Sequence, residues 1–249
     1  MLVRLDAEFA AAMSASGLNQ HSSFVTALSG GADSTALCLL MSRFAASSGK
    51  AHRAIIVDHG IRAQAGTEAA RVAARMQTFG IDVIVAKVTD KAPDTGVQAW
   101  ARRQRFDIML ADARRDHSAL LVGHHAGDQA ETIAMRLGKG SGLAGLAGMK
   151  RTSWRSGVAI GRPMLAWPAE RMVDICRQFE CEFETDPSNM DRRFERIRLR
   201  QFMMQDKAFG AKLCRLGEAA RKMQATLDQT LAAIIARDIR LDAAGYARL

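Results

Sequence analysis

The sequence predicts an α/β fold, a doubly wound parallel sheet followed by a helical C-terminal appendage. Three observations carry this. Short β-branched or apolar runs end in polar residues, stretches with helical spacing separate those runs, and Ser29-Gly30-Gly31-Ala32-Asp33-Ser34 joins the first run to the first such stretch. Strand and helix signals in alternation are the mark of a parallel sheet with helices on its faces. In such a sheet ligands sit beyond the carboxyl ends of the strands.

Taken in order, Phe24 to Leu28 reads as the first strand and Thr35 to Arg43 as the first helix. Arg53 to His59 is the second strand, β-branched and apolar until its polar end. Over 68–79, Ala69, Val72, Ala73, Met76 and Phe79 share one helical face and Gly80 supplies the stop. Ile81 to Val88 is a third strand, Val97 to Ala113 a third helix and Ala119 to Gly123 a fourth strand. The stretch from Gly138 to Gly148, with Gly140, Gly142 and Gly145 between, predicts a mobile loop. Val158 to Leu165 reads as a strand, Trp167 to Phe179 as a helix opened by Pro168, and Arg192 to Met204 as a basic helix. From Ala208 to about Ile239 the spacing is helical, in two segments broken near Gly217 or Thr226. The expected division is a catalytic domain over 1–205 and a helical segment over 206–249, too short for a core of its own and so packed against something else.

Composition narrows the function. A chain of 249 residues, 48% hydrophobic and 24% charged, has the make-up of a soluble globular protein. Its net charge of +9 favours an anionic partner, of which nucleic acid is the commonest. No stretch is long and apolar enough to span a membrane, and the acidic residues of the first eight positions do not suit a signal peptide. Cys38, Cys176, Cys181 and Cys214 form no Cys-x-x-Cys pair, so neither a zinc ribbon nor an iron-sulfur site is suggested, and a reduced, cytoplasmic protein is expected.

The hexapeptide is a place to hold phosphate. Adjacent glycines allow close backbone approach to an anion, and the amides and dipole of the following helix favour negative charge. Ser29 and Ser34 add hydroxyl donors, while Asp33 suits a Mg²⁺ that bridges carboxylate and phosphate oxygens. A plain capped helix start is the competing explanation. No Gly-Lys-Ser/Thr follows, so this is not a Walker loop. It resembles the SGGxDS loop of the N-type ATP pyrophosphatases, which split ATP into AMP and pyrophosphate while adenylating a substrate. That resemblance implies an adenine nucleotide alpha hydrolase-like sheet.

Further segments resemble the tRNA(Ile)-lysidine synthetase family over residues 24 to about 200. They are Val57-Asp58-His59-Gly60-Ile61-Arg62, Ala101 to Phe106, Gly123 to Thr132, Gly140-Ser141-Gly142 with Gly145 to Met149, Arg162-Pro163-Met164-Leu165, and Asp186-Pro187-Ser188-Asn189. The resemblance implies ATP and Mg²⁺, free L-lysine, and a tRNA(Ile) with a CAU anticodon whose wobble cytidine is adenylated and then joined to lysine. Ser29, Gly30, Gly31, Ala32, Asp33, Ser34, Asp58, His59, Gly123 and His124 would bind the nucleotide, with Asp33 on the metal. Asp33, Arg102, Arg105, His125, Asp128 and Glu131 are the candidate catalytic residues, Arg102 or Arg105 assisting adenylation. Asp128 and Glu131, three apart at a helix start, share a face. They suit either the metal or, for Asp128, a lysine ammonium. Asp128, Lys139 and Arg162, together with Asp186, Asn189, Arg196, Arg198 and Arg200 around the anticodon loop, are the expected contacts to lysine and tRNA.

The chain departs from the family's pattern in three places. Gly127 stands where an acidic or amide residue is usual, Arg196-Ile197 where Arg-Asn is usual, and Lys139 where arginine is usual. Many relatives also continue into a longer C-terminal region, so a short form or a fragment with weaker tRNA selection is expected. The competing readings are a tRNA thiolase, for which paired cysteines are missing, an NAD synthetase, which leaves the basic tail and glycine segment unexplained, and a non-catalytic tRNA-binding module, favoured only by Gly127. The oligomeric state is not fixed by the sequence, which allows a homodimer.

Overall fold

The structure, a computed structural model, describes residues 2–60, 64–184, 195–238, 240–241 and 247–248. In chain order its elements are α1 (Leu2–Ala15), β1 (Ser23–Ala27), α2 (Ala32–Ser48), β2 (Ala51–Asp58), α3 (Ala65–Gln77), β3 (Val83–Lys87), α4 (Val97–Arg115) and β4 (Ala119–Leu121). They continue with α5 (Ala126–Gly138), α6 (Leu143–Leu146), β5 (Thr152–Arg155), β6 (Val158–Gly161), α7 (Glu170–Gln178), α8 (Glu195–Gln205), α9 (Lys207–Asp238), β7 (Arg240–Leu241) and β8 (Ala247–Arg248). The chain forms two compact units, one of Met1–Ala126 with Lys150–Asn189, the other of Gly127–Met149 with Met190–Leu249. Residues 127–149 thus group with the C-terminal helices, whereas the sequence division assigned them to the domain over 1–205. Among the described residues no helix is long and apolar enough to cross a membrane.

The first unit is the predicted sheet. Its order is β3-β2-β1-β4-β6-β5, parallel throughout except for β5, which pairs with β6 antiparallel. Alternation of side chains sorts the core onto two faces. Phe24 and Leu121 join Phe9, Leu37 and Met41 under α1, α2 and α7, and Ala54 and Ile56 meet Val72 and Met76 of α3. Val25, Ile55 and Leu120 face the other way, onto Met109, Leu110 and Ala113 of α4. Burying each large side chain contributes roughly 1.5–3 kcal/mol relative to exposure. Connections through α2 and α3 step outward from β1 along one face, and α4 returns on the other face to start β4 on the opposite side of β1. Right-handed crossovers require this reversal, and it sets the ends of β1 and β4 side by side at the switch point.

Two elements of this unit escape the sequence reading. Helix α1 buries Leu5, Phe9 and Met13 at helical spacing, while its acidic residues pair with arginines from elsewhere in the fold, Asp6 with Arg43 and Glu8 with Arg171. Strand β5 is an edge strand of four residues, too short for a periodic signal. Two boundaries also shift. Strand β6 stops at Gly161 rather than Leu165, because the chain turns there and Leu165 donates back to Arg162. Helix α7 starts at Glu170 rather than Trp167, with Pro168 in the preceding turn accepting from Arg171.

In the second unit, α5 and α9 pack through Ala130, Ile133 and Leu213, with Met203 and Phe209 alongside. Helix α9 runs unbroken for 32 residues, which corrects the expected break near Gly217 or Thr226. Gly217 is a contact rather than a breaker. A Cβ there would lie 2.4 Å from Ile133 Cδ1 and 3.3 Å from the Leu146 carbonyl. Thr226 returns its hydroxyl to the Lys222 carbonyl at 3.2 Å, which keeps the helical path.

The glycine-rich segment is also more ordered than expected, with α6 inside it. Gln129 clamps Met149 by donating to its carbonyl at 3.1 Å and accepting from its amide at 2.8 Å. Arg136 donates to the Gly145 and Gly148 carbonyls and Arg221 to that of Ala147. Glycine's flexibility is offset by side chains that take up its backbone polar groups.

Gly217→Val should lower the stability of the chain by about 1–3 kcal/mol in denaturant unfolding, the usual range for overpacking. Adding Ile133→Ala should make the combined loss less than additive; strict additivity would mean that the two positions do not meet.

Candidate active site

Five parallel strands end on the same edge of the sheet, and the segments that follow β1, β2, β4 and β6 hold most of the candidate residues. The segment after β1 is a turn held from within. Ser34 Oγ accepts from the Ser29 amide and donates to the Gly31 carbonyl, both at 3.1 Å. Gly30 has φ +85°, and a Cβ there would fall 2.8 Å from Val72, so only glycine fits. Gly31 has an extended φ of −69° and is the N-cap of α2, with no side-chain cap bond. Left-handed freedom is therefore needed at Gly30 alone. No side chain caps α2, so the first amides of the helix are left to a group from outside it, as an anion would supply.

Gly123, after β4, is required by close approach. A Cβ there would lie 2.8 Å from the Asp33 carbonyl oxygen and 3.1 Å from the Ser34 nitrogen. This contact brings His125, which is buried, to 3.6 Å from the Asp33 carboxylate. Asp33 itself is half exposed, at 48%. His124 accepts from Arg162 Nε at 3.3 Å, and Arg162, just past β6, also donates to the Lys150 carbonyl and to Ser153.

At the end of β2, Asp58 accepts from the Gly60 amide at 2.9 Å and so shapes the turn. His59 Nε2 accepts from Arg105 at 3.3 Å. A guanidinium only donates, so the ring proton of neutral His59 sits on Nδ1. Desolvation, then the Arg105 charge, push the His59 pKa down, with Asp58 opposing. Its Nδ1 is shut off from solvent without a partner among the described residues. Desolvation and the neighbouring Arg102 charge lower Arg105 and Arg162 too, yet both remain cations at neutral pH.

The second unit holds the other candidates. Asp128 and Glu131 share a face of α5, as their spacing predicts, and both are buried. Arg196 bonds Glu131 at 2.5 Å and Asp128 at 3.0 Å, and Arg200 does the same at 2.6 and 3.3 Å. The two arginines expected on RNA phosphates thus lie against these carboxylates. Arg198 and Lys139 are exposed. Ile61, Arg62, Asp186 and Asn189 lie outside the described residues. Among the described residues no three His, Cys, Asp or Glu side chains are grouped to hold a metal ion.

Sequence reasoning missed Glu184. Its amide donates to the Gly30 carbonyl at 2.8 Å, while its carboxylate pairs with Arg71 at 2.9 Å and Arg75 at 3.0 Å. Nothing local signals such a tie. The cysteines, by contrast, are plain packing. Burial pushes Cys176 up to about 12 and raises Cys38 and Cys181 as well, so these thiols stay protonated, unlike metal-ligating thiolates.

A family model described as the PP-loop domain matches residues 1–207. The tRNA(Ile)-lysidine synthase of Rhodopseudomonas palustris is 39% identical over 210 residues, which cover 82% of this chain and 61% of that protein. That of Methylobacterium sp. (strain 4-46) is 40% identical over 244 residues, 92% of this chain and 70% of the relative. This chain belongs to the tRNA(Ile)-lysidine synthase family of PP-loop proteins. It spans about three fifths of the length of several of the curated relatives it matches, 61% for those of Rhodopseudomonas palustris and Novosphingobium aromaticivorans. Among solved structures, a U34-tRNA thiolase, NcsA, from Methanococcus maripaludis aligns with a TM-score of 0.70 at 15% identity, over 86% of this chain and 78% of that one. An NMN synthetase from Francisella tularensis aligns at 0.53 and 13%, over 89% and 96%. Identities this low establish a shared fold.

Two outcomes test this geometry. Arg71 and Arg75 hold the Glu184 carboxyl below its usual range, against the opposing and individually larger effect of desolvation. A depressed carboxyl stabilises the fold above its unfolded pKa of about 4.3, and the benefit is lost as pH falls through the native value. The thermal midpoint of wild type should therefore exceed that of Glu184→Gln at pH 7, and the gap should close in acid; a gap independent of pH would exclude the ion pairs as its source. Arg200→Leu should cost about 1–3 kcal/mol, less than a fully buried pair because the guanidinium side chain is 40% exposed. Chemical denaturation against Lys212→Leu, an exposed position on α9, as the control measures it, and equal effects would contradict the pairing.

Proposed function

We propose that the protein ligates L-lysine to the wobble cytidine of a CAU-anticodon tRNA(Ile), consuming ATP through an adenylated cytidine and releasing AMP and pyrophosphate. The observation that carries this reading is the α2 start with no side-chain cap, beside β4 at the switch point of the sheet, in a chain of this family. The triphosphate binds to the amides of residues 30–34, with the ring of His59 and the charge of Arg105 nearby.

Asp33, half exposed in the first turn of α2, fits a Mg²⁺ ligand, and the ion when bound neutralises charge on the phosphates. In the first step the cytidine carbonyl oxygen bonds to the α-phosphorus as the bond to the pyrophosphate breaks. Arg102 or Arg105 offsets the negative charge that develops. In the second step the lysine ε-nitrogen bonds to the activated carbon, and the carbon-oxygen bond to AMP breaks. The amine loses a proton in that step, and Asp128 is the assigned group for holding the lysine ammonium and accepting it. Arg196 and Arg200, which also bond Glu131, keep the Asp128 side chain in place. We assign the activity to the cytoplasm, in keeping with protonated buried cysteines, and leave a homodimer to be tested by sedimentation.

The test supplies radiolabelled lysine, Mg-ATP and a CAU-anticodon tRNA(Ile) transcript, and counts label in the RNA. Incorporation should require cytidine at the wobble position and should fall at least a hundredfold in Asp128→Ala while tRNA-dependent pyrophosphate release persists. Pyrophosphate release by wild type without label in the RNA would assign another nucleophile. Retention of both steps in Asp128→Ala would remove that residue's role.

A further inference from the structure

Outside the strand ends, the first unit has a cavity of about 490 Å³ between α4 and the β5–β6 hairpin. Its lining includes Arg102, Arg103, Arg155 and Arg162 around Phe106, and among the described residues it holds no carboxylate. The cavity is built rather than incidental. Arg102 and Arg155 stack on the Phe106 ring at 5.2 and 5.6 Å from its centroid, which fixes the positions of two guanidiniums. Asp107 holds Arg155 from the side at 3.2 Å. Four arginines in one cavity repel each other, as the effect of Arg102 on Arg162 shows. Such an arrangement is stabilised by an anion, and arginine forks suit phosphate.

The cavity also has a direction. Arg162 donates to His124 at the end of β4 and lines the cavity as well, so cationic surface runs from the strand ends down the α4 face. Arg103 and Arg155, farther along it, are exposed. A free mononucleotide needs a closed, mostly apolar site. An arginine track leading away from a reaction centre suits a polymer whose phosphates repeat.

We propose that this arginine cavity holds backbone phosphates of the RNA strand that flanks the nucleotide being modified. The assignment rests on the reading of the substrate as RNA. Arg103 and Arg155 hold phosphate by charge and position the strand, without touching the reacting atoms.

The experiment measures binding of a CAU anticodon stem-loop RNA to the full chain across a salt series, with ATP binding and the thermal midpoint measured on the same samples. Arg103→Gln/Arg155→Gln should weaken RNA binding about tenfold or more and reduce the slope of log affinity against log salt by about 1.4, two contacts at about 0.7 each for single strands. ATP binding should stay as in wild type, and the charge-preserving Arg103→Lys/Arg155→Lys should keep the slope. Arg103→Gln alone, at an exposed position, should take about half the change and serves if the double variant is unstable. Wild-type affinity and slope in the glutamine variants, beside RNA-binding wild type, would overturn the cavity assignment alone. Failure of wild type to bind RNA would overturn the substrate reading with it. Pyrophosphate or free cytidine monophosphate, titrated in parallel, would displace RNA as the occupant if its binding depended on Arg103 and Arg155 while RNA binding did not.

Discussion

The first unit depends on a backbone contact that excludes a methyl group, the approach of Gly123 to the Asp33 carbonyl. Strands β1 and β4 are neighbours in the sheet, with Val25 opposite Leu120, but sheet spacing alone does not bring the segment after one strand against the helix that follows the other. The missing Cβ does. With the two segments in contact, the His125 ring lies 3.6 Å from the Asp33 carboxylate. Gly30 plays the complementary part on the other side, where Val72 fills the space a side chain would need and the Glu184 amide takes the carbonyl. The loop is thus held from both flanks, by Gly123 against Asp33 and by Val72 and Glu184 against Gly30. Such preorganisation is what electrostatic catalysis requires, because dipoles already aimed need no rearrangement as charge develops.

Two clusters handle charge differently. In the cavity beside α4, four arginines share a lining that holds no carboxylate among the described residues, and desolvation together with the Arg102 charge lowers the pKa of Arg105 and Arg162. In the second, two buried carboxylates are matched by two guanidiniums, and Glu131 is 1% exposed. A matched set of this kind adds little net stability over an apolar one. Its value lies in geometry, because four hydrogen bonds fix the rotamers of Asp128 and Glu131 and tie α8 to α5.

What could be read from the sequence divides along a physical line. The parallel sheet, its strand ends and the phosphate loop were legible because each is encoded locally, by alternation, by a polar end to an apolar run, or by glycines at a turn. The shared face of Asp128 and Glu131 followed from helical spacing. Interactions between a side chain and a distant backbone group were not legible, and they decide the rest. Glu184 meets Gly30, and Arg221 meets Ala147, across separations that no local pattern marks. Gly217 illustrates the same limit in a single residue. Read alone, it weakens a helix, but against Ile133 and the Leu146 carbonyl it is what lets α9 continue close to its neighbours. Arg196 and Arg200 read as a basic helix face for RNA, because the carboxylates that claim them lie far back in the chain.

The clamp from Gln129 to Met149 narrows what this position can become. One side chain there must donate to a carbonyl and accept from an amide at the same time, in a buried setting. Glutamate, nearly identical in shape, loses the donor when ionised and buries a charge facing a carbonyl oxygen; only its protonated form offers both a donor and an acceptor. Lysine and arginine have no acceptor. Asparagine has both groups but is a methylene short. Glutamine at 129 therefore meets both demands while staying neutral, and its side chain stands in for a backbone partner of Met149.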